Sequence, residues 1–132
     1  MAYASVLARN PYTTYRQIDV VGRTAEADGP ALVQLLYEEL IAALRAAAWA
    51  TEHRQFAKKG ERVTRATAIL FALEAGLDYD RGADVAKTLS RFYAGSRRAV
   101  VEASVGNNPA PFREVADSMN EIATAWRTAR AA

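Results

Sequence analysis

The sequence predicts an all-α protein, an antiparallel up-down-up-down four-helix bundle behind a mobile N-terminal arm. Three observations carry that expectation. Apolar residues recur at three and four over four long stretches, the spacing of one helix face. Strand signatures, alternating Val, Ile, Thr and aromatic runs bounded by turns, are missing. All four prolines fall outside the centres of these stretches, at Pro11, Pro30, Pro109 and Pro111. Residues 1–27 are read as the arm and 28–132 as one bundle domain.

The first helix opens at Asp28-Gly29-Pro30, where Asp28 is placed to cap free amides and proline costs little in a first turn. Leu32, Leu35, Leu36, Leu40, Ala43, Leu44 and Ala47 then form its stripe, which runs to about Glu52. His53 to Lys59 is polar and is read as the connection, closed by Gly60. The second helix is expected over Glu61–Ala75, with Val63, Ala66, Leu70 and Leu73 on one face and Gly76 as a left-handed stop. Residues 77–82 make the next turn. The third helix is expected over Ala83–Ser104, with Val85, Leu89, Phe92, Val100 and Ala103 as its stripe and Asp78 or Asp80 near its N-terminus. Gly95 and Ser96 fall where that stripe needs bulk and predict a thin place in the core. Gly106-Asn107-Asn108-Pro109 ends it. The fourth helix starts near Pro111 and carries Phe112, Val115, Met119, Ile122, Trp126 and Ala129. Short connections between helices of this length leave neighbours antiparallel, with crossings near ~20°.

Composition narrows the function. The chain has 132 residues, 51% hydrophobic and 24% charged, enough for a core without covalent staples. With no cysteine and one histidine, His53, it lacks disulfides, a thiol nucleophile, most zinc sites, and di-iron sites built on paired Glu-x-x-His motifs. A net charge of +2, with 14 Arg and 3 Lys scattered along the chain, does not argue for nucleic acid. No apolar run reaches the ~18 residues of a membrane span. The start lacks a basic region before an apolar stretch, so a cytoplasmic protein is expected. Glu38 and Glu39 lie more than three turns from Glu52 and His53, so no shared metal or acid-base site is implied. Asp78-Tyr79-Asp80 is too short for a calcium hand. No convergent nucleophile, base and oxyanion donors are visible, and the chain is read as no enzyme, with no cofactor and no metal.

Several apolar residues exceed what a bundle needs. Tyr37 sits one step off its helix's densest stripe. Phe92 and Tyr93, Val100 and Val101, and Ile69 and Phe71 beside Leu70 cannot all face one seam. These residues either widen the buried stripe or present apolar surface to a partner. The arm holds Tyr12, Tyr15 and Ile18, spaced at three. They either complete the core or form a detachable strip over a peptide-binding surface.

Order and spacing of particular blocks then become specific. Tyr12-Thr-Thr-Tyr15-Arg-Gln-Ile18 precedes Leu32-Val-Gln-Leu-Leu-Tyr37-Glu38. Gly76-Leu-Asp78, Gly82, Ala86, Leu89, Phe92-Tyr93 and Arg98 follow, and the chain closes on Ala125-Trp126. This series resembles the FliS family of flagellar secretion chaperones over nearly the whole chain. The resemblance implies a cytoplasmic, non-enzymatic four-helix chaperone. Such a protein binds the disordered C-terminal segment of flagellin, prevents premature polymerisation and hands it to the flagellar export gate. The family's arm tyrosine falls on Tyr15 and its arm apolar position on Tyr12. The partner-binding residues expected here are Tyr12, Tyr15, Ile18, Tyr37, Leu89, Tyr93, Arg98 and Val101, in a monomer or weak dimer without nucleic acid or membrane insertion. The sequence departs from the family where Asp28-Gly-Pro-Ala31 replaces its usual Ser-Pro entry, and at Glu39, Gly95-Ser96-Arg97, Ala99 and Ser104. The other reading is a helical-bundle adaptor or regulator of a different protein.

Overall fold

The computed structural model describes residues 29–131, all of it helix and short connection. The four helices are α1 (Gly29–Glu52), α2 (Phe56–Ala75), α3 (Tyr79–Ser104) and α4 (Ala110–Ala131). Arm residues Tyr12, Tyr15 and Ile18, and the expected cap Asp28, lie outside the described residues. α1 is the central element. It packs extensively on both α2 and α4, α2 packs on α3, and α3 closes onto α4 only lightly. The bundle is thus a chain of packed neighbours, α4-α1-α2-α3, with its least-closed seam between the last two helices.

Alanine makes that packing close. On α1, Ala43, Ala47, Ala48 and Ala50 are buried beside Leu32, Leu36, Leu40 and Leu44. Facing them are Ala66, Ile69, Leu70, Ala72 and Leu73 of α2, and Phe112, Val115, Ala116, Met119 and Ala123 of α4. A fully buried leucine or phenylalanine contributes roughly 1.5–3 kcal/mol by leaving water, so this layer dominates stability. Two partly buried ion pairs join adjacent helices. Arg65 donates to Glu39 at 3.2 Å between α2 and α1, and Arg97 donates to Glu74 at 2.5 Å between α3 and α2. At the opposite face, the Trp126 indole N–H donates to the Pro30 carbonyl at 3.3 Å, pinning the end of α4 to the start of α1.

The helix ends correct several boundaries. α2 begins at Phe56 rather than Glu61, so Gly60 is interior to it and closes nothing. The turn needs only residues 53–55, because Arg54 takes φ 55 and reverses the chain in one step. Polar Lys58 and Lys59 misled the boundary. Lys59 is in fact buried, its ammonium donating to the Gly106 carbonyl at 2.6 Å and tying α2's first turn to the α3–α4 loop. α3 begins at Tyr79, capped by Asp78, whose carboxylate accepts from the backbone N–H groups of Asp80 and Arg81 at 3.1 Å. Gly76 ends α2 in right-handed geometry, φ −85, and not in the left-handed region its glycine suggested.

Inside α3, Ala83 has φ 43 and ψ −114, so its first turn and its main body are two helical pieces meeting at a kink. Beyond the kink the buried stripe is Ala86, Tyr93, Ser96, Val100 and Ala103. It is offset from the expected stripe. Val85 is 67% exposed and Phe92 only half-buried. The actual seam, with half-buried Leu89 filling the gap, keeps three-and-four spacing but runs through a serine and a tyrosine, which apolar periodicity discounts. Gly95 is exposed and an added methyl there would meet nothing within 4 Å, so Gly95 lies outside the core and only Ser96 belongs to the buried stripe. No described helix is long and apolar enough to cross a membrane.

Candidate binding surface

Some of the crowded apolar residues are buried and others are exposed. On α2, Ile69 and Leu70 are buried while Phe71 is 47% exposed. On α3, Val100 is fully buried and Val101 is 51% exposed. Arg98 and Val101 come together with Ala94, Arg97 and Glu102 along an open groove of about 480 Å³ on the outer face of α3. Arg97 connects this groove to α2. Its guanidinium lies 4.1 Å from the Phe71 ring centroid while donating to Glu74. The ion pair holds the arginine over the ring, an arrangement worth about 0.5–1 kcal/mol at an exposed site. Phe71, Arg97 and Val101 thereby make one amphipathic strip across the α2–α3 face. Arg98, exposed beside it, forms no ion pair with any described residue.

Tyr37 and Tyr93 are placed differently from expectation. Each is 3% exposed. Tyr37 therefore faces inward although its step off the leucine stripe suggested a sideways or outward position. Tyr93 takes the inner place and leaves half-buried Phe92 at the edge. The two hydroxyls hydrogen-bond to each other, with ring centroids 6.5 Å apart and planes at 47°. This pair braces α1 to α3 diagonally through the bundle. Burial pushes the Tyr37 hydroxyl pKa up, and the hydrogen bond from Tyr93 opposes part of that shift. Leu89, one turn before Tyr93, is half-buried and packs against the core. Of the residues singled out in the sequence, Arg98 and Val101 thus share a surface, Leu89 is half-buried at the margin of the core, and Tyr37 and Tyr93 are buried together within it.

Phe71, which the sequence marks as excess to a single seam, and Arg97 stand on the surface but lie outside the expected partner-binding set. The signal was present: Phe71 stands one position past a buried pair, and Arg97 is 23 residues beyond Glu74 across a single tight turn. Neither can be paired until the register of α2 against α3 is known. The histidine has a structural setting. His53 stacks on Trp49 at 4.0 Å between centroids, and its Nδ1 lies 2.8 Å from the Trp49 carbonyl. Glu52 pairs instead with Arg113 of α4. Among the described residues, no three His, Asp or Glu side chains gather in one place.

The described surface offers an exposed amphipathic strip on a helical bundle. Comparison with known proteins supplies the family. A family model described as flagellar protein FliS matches residues 8–132. The chain belongs to the FliS family. The flagellar secretion chaperone FliSB of Pseudomonas aeruginosa is 30% identical over 112 residues, covering 85% of this chain and 89% of the relative. The flagellar secretion chaperone FliS of Salmonella typhimurium is 30% identical over 114 residues, covering 86% and 84% respectively. That of Bacillus subtilis is 27% identical over 121 residues, covering 92% and 86%. FliS relatives are chaperones by name, and the match takes in the arm from residue 8 as well as the four helices.

Proposed function

We propose that this chain is a cytoplasmic flagellar export chaperone that holds the disordered C-terminal segment of flagellin, blocks its premature polymerisation and delivers it to the flagellar export gate. The family match along nearly the whole chain carries this reading. The geometry supports a location for it. A disordered segment loses conformational entropy when it orders on a surface, so useful affinity requires a long wrapped area rather than one deep pocket. The strip of Phe71, Arg97 and Val101 is such a surface, shallow and apolar, with Arg98 at its edge to meet carboxylates or carbonyls. An amphipathic helix laid into a groove of this kind is a general recognition mode.

In this reading Arg98, Val101 and Leu89 meet the client directly. Tyr12, Tyr15 and Ile18 belong to an arm that takes part in client capture and in docking to the gate. Tyr37 and Tyr93 keep α1 and α3 in place beneath the surface. The protein works as a monomer or weak dimer and makes no covalent step.

The test is flagellin polymerisation followed by light scattering. Equimolar protein should suppress filament growth, and the double substitution Arg98→Glu with Val101→Asp should need severalfold more protein for the same effect. Both positions are exposed, so the variant's melting midpoint should stay near that of the parent protein. Unimpeded polymerisation in the presence of equimolar folded protein would refute the proposal.

A further inference from the structure

Among the described residues, Gln34 is the one side chain whose buried polar atoms have no hydrogen-bond partner. It is 8% exposed, and neither its amide nitrogen nor its carbonyl oxygen has a partner. Thr51, also buried, returns its hydroxyl to the Ala47 carbonyl, and buried Lys59 reaches Gly106. Leaving a buried donor and a buried acceptor both unmade costs more than a made hydrogen bond returns, so such a residue calls for an explanation. A leucine of similar size would avoid the cost altogether.

Its position suggests the answer. Gln34 lies at the edge of α1's buried face, on the side turned to α4. Ile41 and Arg45 follow it along the same edge at seven and eleven residues, and Arg45 reaches Asp117 of α4 at 3.7 Å. One turn below Gln34, the Pro30 carbonyl receives the Trp126 indole. The opposite edge of α1 is occupied by Glu39 and its α2 partner Arg65. The unmet amide therefore sits in the α1–α4 seam, between the Trp126 latch and the Arg45–Asp117 pair, where α4 is exposed beyond Ala123.

We infer that Gln34 is a main-chain reading residue for the bound client segment, its amide pairing with the C=O and N–H of a peptide unit in an extended stretch. This rests on the client-binding reading above. A carboxamide and a peptide unit each offer one acceptor and at least one donor, so the pair satisfies both partners at once. The interior of a client helix cannot serve, because its peptide groups are already bonded to one another. The segment must cross Gln34 in a non-helical piece. Contact with main chain alone carries no sequence preference, which suits a chaperone whose client is recognised while disordered. The amide is unmet among the described residues, and the bound segment satisfies it.

The experiment is calorimetric titration of the full-length protein with the flagellin C-terminal segment, comparing the parent chain with Gln34→Leu. The substitution should leave the melting midpoint unchanged or raise it by a few degrees, while weakening binding about tenfold, the effect of one or two hydrogen bonds lost to a buried site. A role confined to structure would move stability and leave affinity alone. If Gln34→Leu does not fold, Gln34→Met makes the same comparison. In the unsubstituted protein, the Gln34 side-chain amide resonances should shift on binding and exchange with solvent more slowly. Unchanged affinity in the folded variant, or unmoved amide resonances at saturation, overturns the inference. Failure of the unsubstituted protein to bind at all refutes the client reading itself, and the inference with it; the parent isotherm separates the two failures.

Discussion

The Tyr37–Tyr93 pair is where single atoms govern the most. The two side chains are buried and their hydroxyls share a hydrogen bond. Removing the Tyr93 hydroxyl takes that bond from buried Tyr37, at a cost of about 1–3 kcal/mol, while removing both hydroxyls costs less than the sum. Tyr37→Phe and Tyr93→Phe should therefore show strong coupling in a double-mutant cycle read by urea denaturation; additive effects would mean the two hydroxyls act independently. The pair also sets a pH limit. Burial raises the Tyr37 pKa in the folded state above its unfolded value, so the folded protein retains a proton that the unfolded chain releases. Stability is then full below the ordinary tyrosine value of about 10 and falls as pH rises through and beyond it. Urea midpoints measured from pH 8 to 11 should be flat at first and then decline, and the decline should shrink in Tyr37→Phe.

At the scale of elements, α3 carries the fold's visible strain. An alanine at φ 43 occupies backbone space that glycine adopts freely, and the kink there offsets the helix's buried stripe from its apparent one. Ala83→Gly should stabilise the protein by about 0.5–1 kcal/mol in denaturant melts, whereas the same change in the regular body of the helix would lower stability. Gly82→Ala should destabilise, since the new methyl would lie 3.1 Å from the Ala86 methyl. This element also shows what a sequence reveals and what it conceals. Four helices and most of the α1, α2 and α4 cores follow from spacing, because alanine and leucine seams have few alternatives. The phase of α3 does not follow, because Tyr93 and Ser96 enter the core only through the partner at Tyr37 and the closeness of neighbouring alanines. The start of α2 was hidden for a related reason: Lys59 looks like a surface residue until the Gly106 carbonyl is brought against it by the fold. Lys59→Ala should cost about 1–3 kcal/mol by freeing that loop, and should do so without altering α1 or its contacts.

Taken as a whole, the molecule divides its labour between a tightly packed α4-α1-α2 layer and a less enclosed α3. Stability comes from the first. The exposed residues available to a partner, Val101, Arg98 and the first turns after the kink, come from the second. The site was legible in part for that reason. Adjacent apolar residues announced that some must face out, but which ones depended on helix phase, so the exposure of Val101 and Phe71 follows only once α2 and α3 are docked. The proposed binding face, on a helix with many exposed residues, should be alterable without unfolding the protein. Residues 1–18 should matter to binding in the same separable way: their deletion should change affinity for the flagellin segment at least severalfold while the four-helix melt persists, as circular dichroism and titration would show. The measurement that bears most directly on the account is calorimetric titration of the intact protein with the C-terminal segment of the flagellin from its own organism, repeated across temperature at moderate salt. Saturation at one segment per chain with a large negative heat-capacity change, the mark of extensive apolar burial, is the predicted result. A folded protein that releases no heat and shows no binding at any temperature would contradict it.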